Sequence, residues 1–298
     1  MTGERLRIWA GFIVVSTVWG STWLVIKIGL ETAPPFLSCG LRFVIASLIL
    51  LAIVRVRKLP IPRFEAAKRV YLSMGIFSFG IPFALVYWGE QFIPSALGSI
   101  LFATFPFWVA LFSHFFLRAE PIDRYKAAGI VLGFAGIVLV FWGDINLANP
   151  LAGISMAGIV LATILQAYVL IVVKKHAQTI SPFVMNLLGM SIGALCLLLL
   201  SVLTESWGSI RWTVSGVASI IYLAIFGSVV AFVTYYWLLK RVQVLYLSFT
   251  SFINPIIAVI LGAVVLGETL RPSAAVGASA VLLGILVANG KSFYGKIA

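Results

Sequence analysis

The chain has 298 residues, of which 62% are hydrophobic and only 10% are charged, and its mean hydropathy is +1.12. A soluble fold of this composition would expose large apolar surfaces to water, so the sequence excludes a soluble globular protein and predicts an integral membrane protein. The net charge of +12 does not indicate a nucleic-acid partner, because the basic residues stand in short segments beside apolar runs, where they orient the chain in a bilayer.

Ten apolar segments follow one another along the chain. Nine contain no charged residue, and they cover residues 8–26, 70–89, 91–117, 127–143, 145–173, 177–204, 212–239, 242–267 and 272–290. A tenth, residues 35–54, is interrupted only by Arg42. Each is close to or above the roughly 20 residues that a helix needs to cross the hydrocarbon core. The runs lack the alternation of a membrane β-barrel, so we expect an all-α integral membrane protein with ten transmembrane helices.

The two halves of the chain, residues 8–142 and 150–290, resemble each other. A set of residues in the first half recurs at a constant offset of 149 in the second: Phe83, Tyr87, Trp88, Ser99, Pro106 and Leu117 return as Phe232, Tyr236, Trp237, Ser248, Pro255 and Leu266. Five spans per half is an odd number, so the second half must insert upside down. The sequence therefore predicts two inverted five-helix repeats, a pattern typical of transporters, with no soluble domain.

The distribution of basic residues gives the orientation. With the N-terminus inside, all but four of the 21 lysines and arginines fall on the cytoplasmic side. Of those four, Arg211 and Arg271 are in outer loops, and Lys27 and Arg42 are in helices. This bias predicts a multi-pass protein of the cell (inner) membrane with both termini in the cytoplasm.

Several function classes lack the residues they need. The sequence has no Gly-rich phosphate loop, and its two cysteines both fall in predicted spans, so we expect no ATP-hydrolysing motor, no metal site and no cofactor. An intramembrane enzyme acting on lipid needs a nucleophile, a base and a metal group at one depth, and two histidines without a mid-span carboxylate do not supply them. The absence of a mid-span Asp or Glu also argues against a carboxylate proton relay.

A set of short motifs runs along the whole chain: Trp19-Gly20-Ser21-Thr22-Trp23 with Lys27, Leu41-Arg42-Phe43, Pro106, Pro255 and Leu266-Gly267-Glu268. With these motifs the chain resembles the ten-helix, EamA-type carriers of the drug/metabolite transporter superfamily. Within that superfamily it is most similar to exporters of aromatic amino acids. The resemblance implies alternating access and a small amphipathic substrate. The expected partners are that substrate and the lipid bilayer, and a monomer is compatible with this expectation.

Polar and aromatic residues inside the spans are the candidates for a substrate site near the bilayer midplane, where buried polar groups are costly unless they face a cavity. The candidates are Trp19, Thr22, Trp23, Phe79, Phe83, Tyr87, Ser99, Phe102, Gln166, Tyr235, Ser251 and Asn254. Aromatic rings would pack on the cargo's side chain, and amides, hydroxyls and freed carbonyls would bind its ammonium and carboxylate. Packing is the competing interpretation for Phe79 and Phe83, and an interfacial position is the competing one for Tyr87.

Three further expectations concern prolines and charges. Pro106 and Pro255 break helix hydrogen bonds at matched places and are candidate hinges. Glu120 and Glu268 precede the fifth and tenth spans, where a carboxylate would cap a helix N-terminus. Arg42 either meets a carboxylate or bonds backbone carbonyls, and the sequence leaves both open.

A multidrug or lipophilic-cation exporter is the alternative cargo class, since cations bind aromatic faces.

Overall fold

A computed structural model describes residues 3–117, 124–144, 150–242, 247, 250–269 and 272–294. Within these residues the chain forms a series of helices and no β-strand. The helices are α1 (Gly3–Leu30), α2 (Pro35–Val56), α3 (Glu65–Gly89), α4 (Ser95–Phe116), α5 (Arg124–Asp144), α6 (Pro150–His176), α7 (Pro182–Thr204), α8 (Val214–Leu239), α9 (Thr250–Leu266) and α10 (Pro272–Tyr294). A short 3₁₀ turn, Trp207–Ser209, lies between α7 and α8.

The described helices make this a multi-pass membrane protein. Seven of them, α1 to α4 and α6 to α8, are long and apolar enough to cross a membrane. The other three contribute shorter apolar stretches within the described residues, which are Ala127–Gly136, Ile253–Leu266 and Ala275–Gly284. The expected count of ten membrane-spanning helices therefore stays a prediction.

Several helices begin later than the apolar runs of the sequence suggest. Prolines set these starts: α6 begins at Pro150, α7 begins at Pro182, and Pro94 is the N-cap residue of α4. Proline lacks a backbone N–H and has a fixed φ, which suits a helix start and disfavours helix in the residue before it. Segment boundaries drawn only at charged residues do not take these prolines into account.

Two helices contain π-helical segments, and a third is broken by a turn. Gly75–Gly80 is π-helical inside α3, and Leu223–Val230 is π-helical inside α8. Helix α4 consists of two pieces, Ser95–Phe102 and Phe105–Leu117, so it extends one residue past Phe116, and the turn at residues 103–104 precedes Pro106 by two residues. Pro255, its counterpart in the sequence, lies inside the continuous helix α9. The two candidate hinges thus have different local structures, and their hinge role stays a prediction.

The packing brings the two halves together. Helix α1 packs against α8 and α9, α6 packs against α3 and α4, and α2 packs along α7. Helices α5 and α10 approach so closely that a Cβ added at Gly136 would lie 2.6 Å from the carbonyl oxygen of Gly277, and one at Gly284 would lie 2.6 Å from that of Gly129. Small residues allow such backbone contact between helices in lipid, where the hydrophobic effect does not drive helix association.

Candidate functional site

A cavity of about 170 Å³ lies in the middle of the bundle. Helices α1, α2, α3, α4, α5, α6, α8 and α9 contribute to its walls, so residues from both halves of the chain line it. It extends along the bundle to Ser113 and Lys174, which lie near the C-terminal ends of α4 and α6. A chamber of this kind suits a small molecule rather than a macromolecule.

Most of the substrate-site candidates from the sequence border this cavity. The ones that line it are Trp19, Thr22, Trp23, Phe83, Ser99, Phe102, Gln166, Tyr235 and Asn254, together with Pro106 and Pro255. Phe79 and Tyr87 do not line it: both are fully buried behind its wall, Phe79 among aromatic rings and Tyr87 against Arg42. The side chain of Ser251 lies outside the described residues. So does Glu120.

The aromatic side chains form a connected wall. The ring of Trp19 lies 5.0 Å from that of Phe232 and 5.0 Å from that of Tyr235, measured between centroids. One turn further along the same face of α1, Trp23 contacts Phe102 edge-on at 5.6 Å. Such tilted and edge-on contacts are the preferred geometry of aromatic pairs, and they present rings to a ligand in the cavity. Phe232 was not among the sequence candidates, although its repeat partner Phe83 was.

The π-helical segment of α3 contacts α6 at the cavity. Pro82 has no N–H, so it cannot donate a helical hydrogen bond to the carbonyl of Ser78, four residues earlier. Nε2 of Gln166 donates to this oxygen at 3.2 Å. This contact explains how a lone amide is tolerated inside α6.

A similar contact occurs at the π-helical segment of α8. There Nε1 of Trp19 donates to the carbonyl oxygen of Gly227 at 3.4 Å. The two π-helical segments lie 149 residues apart at their matching positions, the offset of the repeated residues. Isolated π-helical turns are frequent at functional sites. The sequence analysis missed both segments, although Pro82 was a readable signal for the first.

Asn254 and Ser99 supply further polar atoms. In the orientation that satisfies its hydrogen bonds, the amide nitrogen of Asn254 donates to the carbonyls of Thr250 and Ser16 at 3.0 Å each, which ties α9 to α1. The hydroxyl of Ser99 is buried and has no hydrogen-bond partner among the described residues. A buried donor without a partner is costly, so this hydroxyl favours a site completed by cargo.

Two basic residues line the cavity, Lys174 near the C-terminal end of α6 and Arg42 of α2, and Arg42 is the buried one. Its side chain is only 1% exposed. Its Nε donates to the hydroxyl of Ser228 at 2.8 Å and its Nη1 donates to the hydroxyl of Tyr87 at 3.2 Å. The guanidinium carbon also lies 5.0 Å from the centre of the Phe83 ring. Its partners among the described residues are thus two hydroxyls and an aromatic face rather than backbone carbonyls, and a carboxylate partner stays a prediction.

The predicted outer ends of the helices are joined by polar contacts. The carboxylate of Glu268 accepts hydrogen bonds from the backbone N–H and hydroxyl of Ser95 at 2.8 Å and from the N–H of Ala96 at 3.2 Å. It therefore contacts the N-terminus of α4, whereas the sequence analysis had associated it with the start of the tenth span. Glu205 contacts the N-terminus of α2 in the same way, through the N–H groups of Phe36 and Leu37. Both carboxylates complement the positive end of a helix.

Glu90 is a buried acid that lies between the apolar segments 70–89 and 91–117 of the sequence. It follows α3 directly, its side chain is 0% exposed, and both carboxylate oxygens lack a hydrogen-bond partner among the described residues. The ammonium of Lys27 donates instead to the backbone carbonyls of Glu90 and Ile93. Burial raises the pKa of Glu90 well above 4.5. Lys27 and Arg42 oppose this shift in pKa, and Glu268 adds to it.

The stability of this arrangement should therefore depend on pH through Glu90. Because its pKa is raised on folding, the folded state binds the proton more tightly than the unfolded state, and stability falls as pH rises above the ordinary value of 4.5. We expect the melting temperature of the purified protein to decrease from about pH 5 to about pH 8, and Glu90→Gln to flatten that slope. Glu65→Gln, at the exposed start of the same helix, is the control. An equal slope in Glu90→Gln and the wild type would contradict the assignment.

No group of three or more His, Cys, Asp or Glu side chains that would hold a metal ion occurs within the described part of the chain. Cys39 is buried and Cys196 is exposed, and both are unpaired. The chemistry available at the cavity is therefore binding, by aromatic faces, hydroxyls, amides, the guanidinium of Arg42 and the ammonium of Lys174.

Apolar helices that surround a chamber of small-molecule size define a multi-pass membrane transporter. The EamA-like transporter family matches residues 7–142 and 153–290, and the chain belongs to this family. It is 30% identical to an uncharacterized transporter of Buchnera aphidicola subsp. Schizaphis graminum, over 83% of this chain and 82% of that protein. It is 28% identical to the uncharacterized transporter YoaV of Bacillus subtilis, over 95% and 96% respectively.

A further relative and a solved structure are also similar to this chain. The uncharacterized inner membrane transporter YedA of Escherichia coli K12 is 27% identical over 90% of this chain and 85% of its own length. A crystal structure with 18% sequence identity has the same fold, with a TM-score of 0.71 over 96% of this chain and 97% of the solved one. The family and these relatives are named as transporters, so the protein is a transporter and not an enzyme.

Proposed function

We propose that this transporter exports small amphipathic metabolites, chiefly aromatic and other apolar amino acids, by alternating access. One observation carries the proposal: the cavity combines an aromatic wall around Trp19 with polar atoms of Ser99, Gln166 and Arg42. An aromatic amino acid has the matching distribution of an apolar ring and a charged end. The resemblance to the bacterial aromatic amino-acid exporter YddG supports the same cargo.

Ten spans in two inverted five-helix repeats are part of this proposal. Helix α1 of the first half packs against α8 and α9 of the second, and α6 of the second half packs against α3 and α4 of the first. This exchange of partners, and the matched π-helical segments, support a pseudo-two-fold arrangement with cargo bound at the repeat interface. In such carriers one half rocks against the other around a fixed site.

We also propose that both termini are cytoplasmic and that this conformation is closed on the outer side. The contacts of Lys27, Glu205 and Glu268 all join helix ends on the side predicted to be outside, whereas the cavity extends toward Lys174 on the predicted cytoplasmic side. In a cysteine-free background, a membrane-impermeant thiol reagent added outside intact cells should label Gly208→Cys but not Arg63→Cys. Both positions are exposed, and labelling of Arg63→Cys alone would reverse the orientation.

A lipophilic-cation exporter is the second candidate, and the aromatic wall favours it because cations bind the faces of aromatic rings. The buried guanidinium of Arg42 opposes it, since it places a positive charge at the wall of the same chamber. Electrostatic repulsion between like charges in a poorly hydrated site is large. The amino-acid cargo accommodates both features.

Transport into proteoliposomes tests the proposal. Purified protein would be assayed with a panel of radiolabelled amino acids and one lipophilic cation, with and without a pH gradient, and protein-free liposomes would be the control. We expect counterflow of phenylalanine, tryptophan and apolar amino acids, and little of acidic or basic ones. Transport of the cation without any amino acid would favour the second candidate and reject the first.

A further inference from the structure

We propose that Arg42 binds the carboxylate of the cargo, so that the transporter selects carboxylate-bearing aromatic molecules over their amides and amines. The inference rests on the proposed function and specifies the chemistry of the same cavity. It assigns a binding role to a residue on α2, whereas the candidates from sequence came from α1, α3, α4, α6, α8 and α9.

Arg42 carries a buried charge without an ion pair. It is 1% exposed, and it makes no salt bridge with a carboxylate in the portion of the chain that is described. Glu205 bonds the N-terminus of α2, and Glu90 interacts electrostatically with Arg42 but accepts no hydrogen bond from it. Burying a charge without a hydrogen-bonded counter-ion is costly, and a ligand carboxylate in the cavity would supply one.

Protein hydroxyls use only part of the hydrogen-bonding capacity of the Arg42 guanidinium. A guanidinium has five N–H groups, and protein hydroxyls occupy only two of them, at Nε and Nη1. Nη2 has no hydrogen-bond partner among the described residues. These remaining N–H groups provide the planar, paired geometry that a carboxylate accepts.

Gly227 leaves a space beside Arg42 that a side chain would fill. A Cβ added at Gly227 would lie 3.2 Å from Nη2 of Arg42 and 3.0 Å from Cγ2 of Thr22. Glycine at this position of the α8 π-helical segment lets the guanidinium lie directly beside the helix backbone. The carbonyl of the same glycine accepts the hydrogen bond from Trp19. Gly227 thereby places the Arg42 guanidinium next to the Trp19 ring. The guanidinium can bind the carboxylate of an aromatic amino acid, and the ring can pack against its side chain.

The Arg42 side chain is held rigidly. Ser228 and Tyr87 hold the guanidinium from two directions, and the rings of Phe43 and Phe83 lie 5.3 and 5.0 Å from its central carbon. A side chain fixed in this way loses little freedom when a ligand binds, which favours selectivity. Tyr87, a predicted substrate ligand that does not line the cavity, acts here as a positioning residue for Arg42.

The test compares phenylalanine with phenylalaninamide, which keeps the ring and the ammonium but has no carboxylate. Both would be measured as competitors of phenylalanine counterflow in proteoliposomes. For the wild type we expect the acid to compete about 10- to 100-fold better, the range of a lost hydrogen bond to a charged group. Arg42→Gln should reduce the ratio to near unity, Arg42→Lys should retain part of it, and Gly227→Ala should lower it by displacing the guanidinium.

Lys175→Gln is the matched control, because Lys175 is an exposed basic residue on α6 that does not line the cavity, and its ratio should equal that of the wild type. If Arg42→Gln does not fold, the inference is tested by the competition ratio of the wild type and by the lower ratio expected for Gly227→Ala. A wild-type ratio near unity, or an unchanged ratio in folded Arg42→Gln, would overturn the inference. If neither compound is transported or competes, the proposed amino-acid function fails instead.

Discussion

Very little folded protein is expected from Gly136→Leu. A Cβ at this position would lie 2.6 Å from the carbonyl oxygen of Gly277 and 2.7 Å from the amide nitrogen of Val281. Both are backbone atoms of α10, so no change of rotamer relieves the clash, and α5 and α10 must separate. Overpacking of a core typically lowers the free energy of unfolding by about 1–3 kcal/mol. Because Gly136→Leu also disrupts a backbone-to-backbone contact between two helices, we expect a loss of stability at or above the upper end of that range.

The measurements are the yield of monodisperse protein in detergent and its melting temperature. Gly153→Leu is the matched control, because a Cβ added at Gly153 of α6 meets no atom within 4 Å. We expect the control to behave like the wild type. Equal yields of the two variants would show that the contact between α5 and α10 contributes nothing to folding.

The membrane class and most helices could be predicted from the sequence, since these depend on local composition. Long apolar runs and basic loops are visible without any tertiary information. The helix starts were less accurate, because prolines such as Pro94 and Pro182 determine them and a count of charges does not. The π-helical segments were missed for a related reason: a count of apolar residues carries no information about a changed helical period.

The structure separates three residues that share one face of an ideal α-helix, Phe79, Phe83 and Tyr87. Phe79 lies in the π-helical segment and packs against Phe43 and Phe232, and Tyr87 contacts Arg42, so only Phe83 lines the cavity. The burial of Glu90 could not be predicted, because it depends on tertiary packing around the end of α3 rather than on its sequence neighbours.

Alanine at Trp19, Gln166 or Asn254 is expected to weaken cargo binding by about 5- to 150-fold, which corresponds to about 1–3 kcal/mol. Trp19 loses aromatic contact with the cargo and its bond to Gly227. Gln166→Ala removes the hydrogen bond to the carbonyl of Ser78 at the cavity, and Asn254→Ala removes the link between α9 and α1 that shapes its wall. Each effect is measured as the half-saturating phenylalanine concentration in counterflow.

Matched controls separate a cargo site from general damage to the fold. Trp9→Ala changes an exposed tryptophan on the same helix as Trp19, and Gln178→Ala changes an exposed glutamine just after α6. We expect both controls to have the half-saturating phenylalanine concentration of the wild type. All five variants should be inserted in the membrane and monodisperse. If the three cavity variants instead bind every amino acid of the panel as tightly as the controls do, the cargo does not occupy this chamber, and the transporter must bind it elsewhere along the interface of the two halves.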